Sequence, residues 1–201
     1  MTVLRLDISV PPDGGIRTKG TPSARGERSS RSDRESEVGI STGSVERDRT
    51  LELKAEVLSA VSGVDDPEYP GVSIVDLGLL ESVEVDADGT VSIGLIPTFS
   101  GCPALAMIAA DVEAAVRAVE GVADVSVNWL RSPAWSPERL SDRGREALAR
   151  EFTVAVQIGN RTPECPLCGG PTVEQSMFGP SRCRSVHRCE ACRETVEVMR
   201  G

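Results

Sequence analysis

Leu53, Val57 and Val61 recur every four residues, with Leu58 widening the stripe, and this spacing predicts an amphipathic helix over 51–62 that Gly63 ends. Asp65-Asp66-Pro67-Glu68-Tyr69-Pro70-Gly71 follows, a loop in which two prolines oppose regular structure and carboxylates gather. Segments 72–75 and 77–85 read as extended on either side of Asp76. Asp86-Ala87-Asp88-Gly89 is a turn, and the alternation over 91–96 is the returning strand of a hairpin. Leu105, Ile108, Val112, Val116 and Val119 line one face of a second helix over 104–119, with Gly121 just past its end. Residues 122–130 form a strand with Val125, Val127 and Trp129 on one face. Ser132-Pro133-Ala134-Trp135-Ser136-Pro137 then interrupts regular structure, Ser141 starts a short helix ending near Glu151, and 154–158 is an edge strand or a connector. The order helix, strand, strand, helix, strand predicts an α+β domain in which helices cover one face of a three- to four-stranded sheet.

Both flanks depart from that pattern. Residues 11–50 are rich in Gly, Pro, Ser, Arg and Glu and show no periodicity, so they cannot bury enough surface to offset the entropy of ordering them. The expected division is a disordered leader over 1–49, the α+β domain over 50–135, a helix and connector over 136–162, and a small metal-bound unit over 163–201.

That last unit carries the clearest chemistry. Cys165-Pro166-Leu167-Cys168 and Cys189-Glu190-Ala191-Cys192 are two CxxC knuckles separated by 20 residues, a zinc-ribbon spacing. Each knuckle can turn two thiolates onto one ion, and two knuckles complete a tetrahedron. A closed four-sulfur shell leaves no position for water, so the expected role is structural, with the metal supplying folding free energy to a segment too small for its own core. Zinc is the expected ion; iron or an iron-sulfur cluster also suits four sulfurs. Cys183 and His187 lie between the knuckles. His187 reads as a polar side chain on a ribbon strand. Cys183, flanked by Arg182 and Arg184, reads either as a solvent-side thiol of lowered pKa or as a packed residue.

The sixth cysteine sits in Pro97-Thr98-Phe99-Ser100-Gly101-Cys102-Pro103. Gly101 permits a turn, Cys102 falls where a helix N-cap is expected, and Pro103 falls at N1. A thiol there meets the positive end of the helix, which favours the thiolate and makes Cys102 a candidate metal ligand or nucleophile; the alternative is a small buried hydrophobe.

Charge narrows the partners. Lys and Arg number 9 against 8 Asp and Glu in residues 1–50, 7 against 18 in 51–160, and 6 against 5 in 161–201. The acidity of the middle segment disfavours nucleic acid and suits cationic partners, metal ions included. Val3, Leu4, Leu6, Ile8 and Val10 are interrupted by Arg5 and Asp7 and form no secretory h-region, and no run approaches the roughly 20 apolar residues of a membrane span. Paired CxxC without a signal peptide points to a reducing compartment, so a cytoplasmic, soluble protein is expected.

With DPEYP at 66–70, SIVDLGLL at 73–80, PTFSGCP at 97–103, SPAW at 132–135 and MFGPSRC at 177–183, all ahead of or within a Cys-rich ribbon, residues 51–201 resemble the small D-type (also lettered J) subunits of bacterial phenylacetyl-CoA epoxidase, or phenylacetate-CoA oxygenase, systems. The main domain is similar to the iron-sulfur-assembly proteins related to SufT. His187 departs from the family, where an aromatic residue is expected.

The resemblance implies an accessory role in aerobic phenylacetate degradation, and the residues agree. Ring epoxidation needs a di-iron site of Glu and Glu-x-x-His pairs, whereas this chain has one His, and it has no dinucleotide fingerprint. The implied role is assembly or delivery of an iron-sulfur cluster for the oxygenase reductase, with Cys102 as labile ligand assisted by Asp66, Glu68 or Asp76. Those carboxylates otherwise serve loops and helix caps. The implied cofactors are structural zinc at Cys165, Cys168, Cys189 and Cys192 and transient iron or an iron-sulfur cluster. The implied partners are the oxygenase subunits, with a homodimer left open and nucleic acid and membrane excluded. A scaffold bridging oxygenase subunits is the alternative from another class. A thiol enzyme built on Cys102 lacks a His base in its own domain.

Overall fold

The structure, a computed structural model, describes residues 42–200. Segment 1–41 of the expected leader lies outside the described residues. The remainder of that segment does not match the expectation: the first helix, α1, runs Thr42–Ser62, so it begins well before residue 51. Residues 45–49 are exposed, which is why the stripe of Leu53, Val57, Leu58 and Val61 marks only the half that packs. Val57 and Val61 are fully buried against the core, each worth roughly 1.5–3 kcal/mol of transfer free energy.

Strands β1 (Asp65–Asp66) and β2 (Tyr69–Ser73) form a small antiparallel pair, so the proline-rich loop does hold regular structure. Pro70 is tolerated because it sits at an exposed position of a two-stranded edge. Strands β3 (Leu80–Val85) and β4 (Thr90–Leu95) are the expected hairpin. Helix α2 (Leu105–Arg117) then crosses to β5 (Asp124–Trp129), which pairs parallel with β4 to give the order β3-β4-β5. This register sets Val91 beside Val125, Ile93 beside Val127 and Leu95 beside Trp129. Ile108, Val112 and Val116 of α2 are buried, and α1 and α2 pack on β3 and β5 respectively, as the apolar stripes require.

The segment after β5 straps the 74–80 turn in place. Trp135 Nε1 donates to the Leu77 carbonyl at 2.8 Å, and Arg139 donates to the carbonyls of Gly78 at 2.8 Å and Leu80 at 3.0 Å. Gly78 has φ +70°, and a Cβ there would lie 2.5 Å from Arg139, so both its conformation and its crowding exclude a side chain. Ser141 caps helix α3 (Asp142–Phe152), accepting from Gly144 N–H at 2.9 Å.

Strand β6 (Val154–Val156) is an edge strand, the first of the two expected alternatives, but of the ribbon sheet and not of the main one. It pairs parallel with β9 (Thr195–Met199) in a four-stranded sheet of order β6-β9-β8-β7, where β7 is Thr172–Ser176 and β8 is Arg184–Cys189. Val154 and Met199 belong to the same buried cluster as Ile74, Leu77 and Leu148, while Ala155, Cys165, Cys189, Val196 and Val198 form a small cluster of their own. The ribbon therefore shares apolar surface with the α+β domain through one strand end.

Candidate metal centre and thiol cluster

Two backbone turns at 165–168 and 189–192 bring four sulfurs together. Cys165 Sγ lies 3.7 Å from Cys192 Sγ, and Cys168 Sγ lies 3.5 Å from Cys189 Sγ. All four fall within 4.8 Å of one another. Metal–sulfur bonds of about 2.3 Å in a tetrahedron set sulfurs about 3.8 Å apart, so the spacing fits a bound ion. The Cys165 N–H donates to the Gly170 carbonyl at 2.8 Å and the Cys189 N–H to the Glu194 carbonyl at 2.9 Å, which fixes both knuckles from outside. A Cβ on Gly170 would stand 2.8 Å from Ala191 Cβ and 3.3 Å from Cys189 Sγ; only glycine lets the knuckles approach this closely. The backbone N–H groups of Cys192 and Ala191 favour the thiolate at Cys189, while the neighbouring sulfurs push the Cys192 thiol up. These residues fit a metal and would hold it in a closed shell.

His187 is outside that shell. It is buried, with Thr172 Oγ1 at 3.2 Å from Nδ1 and Ser185 Oγ at 3.1 Å from Nε2, so both ring nitrogens have partners. Burial pushes its pKa down, which keeps the ring neutral as a structural group.

Cys102 is also placed differently from the sequence expectation. The N-cap of α2 is Ala104, already in the αR region, and Cys102 lies two residues earlier in a turn closed by its own N–H donating to Phe99 O at 3.1 Å. A residue before proline is steered away from the helical region, which keeps Cys102 outside the helix. The thiol is half-buried.

Of the three carboxylates expected near it, two stand together and one does not. Asp76 is committed to architecture: Oδ1 accepts from Ser141 Oγ at 2.7 Å, and Oδ2 accepts from Ser73 Oγ at 3.0 Å and pairs with Arg143 at 2.9 Å. Asp66 is buried in the β1–β2 turn, where Oδ1 accepts from the Glu68 N–H at 2.8 Å; burial raises its pKa despite that hydrogen bond. Glu68 reaches across to the ribbon, accepting from Ser181 Oγ at 2.6 Å and facing Arg184 Nη2 at 3.5 Å.

Arg184 is the hub of this contact, a role that its sequence context does not announce. Its Nη1 pairs with Glu197 at 2.7 Å, its Nη2 donates to Ser181 Oγ at 2.8 Å, and its guanidinium carbon stands 5.3 Å from the Tyr69 ring centroid. Phe152 meets the other part of that ring edge-on, with centroids 5.2 Å apart. Cys183, next to Arg184, is half-buried, and burial pushes its thiol up. The Arg184 guanidinium works against this, and the negative charges of Glu68 and Cys102 add to it. The expectation of a solvent-side thiol with a lowered pKa is therefore corrected: desolvation outweighs the arginine, whose guanidinium is already shared with Glu197, Glu68 and Tyr69. The packed reading stands.

The site thus joins a four-cysteine ribbon to an α+β domain with a turn-borne cysteine, and comparisons with known proteins match each module in turn. Residues 54–129 match the family described as iron-sulfur cluster assembly protein, and residues 150–200 match the PaaD zinc beta ribbon domain. An Escherichia coli protein named as the D-type subunit of a "Putative 1,2-phenylacetyl-CoA epoxidase" is 33% identical over 153 residues, spanning 72% of this chain and 91% of that one. The Fe-S protein maturation auxiliary factor YitW of Bacillus subtilis is 35% identical over 48% of this chain and 93% of its own, and the maturation factor SufT of Staphylococcus aureus is 34% identical over 42% and 96%. The chain belongs to the family of these D-type epoxidase subunits, whose first module is shared with the maturation factors. No helix among the described residues is long and apolar enough to cross a membrane.

Proposed function

We propose that this protein is a non-catalytic accessory subunit of a phenylacetyl-CoA epoxidase system in the cytoplasm, where it assembles or delivers an iron-sulfur cluster for the oxygenase reductase. The observation that carries the reading is the half-buried Cys102 turn in an assembly-type domain, tied to a four-cysteine ribbon in one chain that spans nearly all of its D-type relative. Zinc in the ribbon is structural, because four sulfurs saturate a tetrahedral ion and leave no exchangeable position. Iron or a cluster is the cargo, held transiently by Cys102 with help from Glu68 and Asp66. Asp76 has no free lone-pair role in this reading, since its oxygens serve Ser73, Ser141 and Arg143.

Cys102→Ser tests this in cells that express the complete oxygenase system. The substituted chain should fold and join the same partners, while the co-purified reductase loses cluster content and the oxygenase loses activity. A fully loaded reductase would transfer the role to the second reading, a scaffold. What favours a scaffold is the apolar surface on the ribbon, where Leu167, Val173, Met177 and Phe178 are all exposed. Replacing Met177 and Phe178 by Ser should then disperse the complex without changing the cluster content of the free reductase.

A further inference from the structure

Three of the five buried polar side chains among the described residues, Thr172, Ser185 and His187, form one hydrogen-bonded group on β7 and β8. Burying a ring and two hydroxyls beside so small an apolar cluster costs free energy unless their hydrogen bonds are made.

The hydrogens of this group can be placed one by one. Thr172 Oγ1 donates its single hydrogen to the Pro163 carbonyl at 2.8 Å, so the same oxygen, 3.2 Å from His187 Nδ1, can only accept there. Nδ1 therefore carries the ring hydrogen. In a neutral ring this leaves Nε2 bare, and it accepts from Ser185 Oγ at 3.1 Å, a shorter contact than the 3.4 Å from that hydroxyl to the Val198 carbonyl. Glu174 Oε2 stands 3.9 Å from Nε2, beyond hydrogen-bond range, and does not compete. The donors all point one way: Ser185 to His187, His187 to Thr172, Thr172 to Pro163.

Both ends of this chain of bonds lie close to the sulfurs. Pro163 stands two residues before Cys165, its carbonyl also accepts from the Thr172 N–H at 3.2 Å, and Glu164 bridges to Pro171. At the other end, Ser185 and His187 belong to β8, which ends at Cys189, and Thr172 is the register partner of Cys189. We propose that His187, held as its Nδ1–H tautomer, is a positioning residue of the metal centre: through Thr172 it ties the backbone entering the first knuckle to the strand that carries the second, so the four sulfurs keep their spacing and the ion is slow to leave. The ring stays outside the sulfur shell and acts through Thr172 and Pro163. Groups one step removed from the ligands set how tightly a metal is held. This role rests on the four-sulfur centre and owes nothing to Cys102.

The test uses the full-length, zinc-loaded protein, with zinc content measured first. Nitrogen NMR of the imidazole, which needs no variant, should place the hydrogen on Nδ1 near neutral pH; a hydrogen on Nε2, or on both nitrogens, would overturn the assigned order. Zinc transfer to an excess of a chromogenic chelator is the second readout. Thr172→Val keeps the shape of the side chain without its hydroxyl and should speed zinc loss about tenfold, with amide NMR showing the ribbon still folded around its metal. His187→Phe keeps the bulk of the ring and should lose zinc as fast. Thr172→Ser restores the hydroxyl, and His187→Asn places an amide donor near the Nδ1 position, so both should release zinc close to the wild-type rate. A packing role gives the opposite ranking, with Phe neutral and Asn impaired. That ranking, or wild-type release from both Thr172→Val and His187→Phe, would overturn the role of His187 while leaving the four-sulfur centre intact. A wild type that holds no tight metal would overturn the centre itself.

Discussion

The ribbon and the Cys102 turn differ in how completely the fold assembles a ligand set. In the ribbon, four sulfurs already stand at tetrahedral spacing, with knuckle N–H groups bonded outside and backbone amides turned toward Cys189. At the junction of the modules, by contrast, Cys102 lies in a turn ahead of α2, while Cys183 precedes β8 beside the contact of Ser181 and Arg184 with Glu68. Completeness sets lifetime: a saturated shell retains its ion and stabilises the fold, whereas a partial one can exchange it.

Breaking the saturated site should have the largest effect. Cys165→Ser or Cys189→Ser should abolish stoichiometric metal in the tail and unfold residues 163–201, a loss bounded by the ~10–16 kcal/mol apparent binding free energy of structural zinc. Because Val154 and Met199 sit in the shared core, the α+β domain should also melt earlier, and NMR of both regions with metal analysis will show it. Retention of one tight metal per chain with an unchanged tail spectrum would refute the four-sulfur shell.

What the sequence makes legible follows the same division. CxxC spacing is local, so the ribbon ligands can be read directly, as can α2 from its 3.6-residue stripe and the Ser141 cap. The junction cannot, because it depends on contacts between positions far apart in sequence. Nothing near Asp66 announces that Ser181 and Arg184 will meet Glu68, more than a hundred residues away. The lone tyrosine of the chain, inside DPEYP, is the available hint. The motif around Cys102 suggests a position two residues too close to the helix, because Pro103 reads as N1 whereas it lies before the Ala104 cap. Asp76 resembles a ligand in sequence because a carboxylate in a glycine-containing loop serves caps and metals alike.

Loosening the junction should cost less than losing the metal. Arg184→Met removes the partner of Glu197, a contact of Glu68 and the guanidinium that stands over Tyr69 while keeping the aliphatic stem. The side chain is only 12% exposed, so stranding the carboxylates should destabilise by about 3 kcal/mol, read by urea unfolding, with ribbon metal retained. A change within a few tenths of a kcal/mol would mean that the modules are joined by β6 pairing alone.

Ser141→Ala should fall lower still, at about 1–2 kcal/mol, since it removes one helix cap and one bond to Asp76. Cluster delivery should be unaffected, which separates the architectural Asp76 from Asp66 and Glu68; a delivery defect in this variant would return Asp76 to the site. Deleting residues 1–41 should have the smallest effect, with melting temperature and oxygenase support unchanged, as its composition predicts. Extending the deletion to residue 48 removes the first turns of α1, and any loss that begins there marks where the fold begins.

In the proposed role, Cys102 holds its cargo loosely enough to hand it over. The most direct measurement reconstitutes the protein with iron and sulfide without air, mixes it with cluster-free oxygenase reductase, and follows the reductase cluster spectrum with time for wild type and Cys102→Ser at equal ribbon metal content. The account predicts transfer from the wild type and at least a tenfold slower or absent transfer from the variant. Equal rates from both proteins would contradict it.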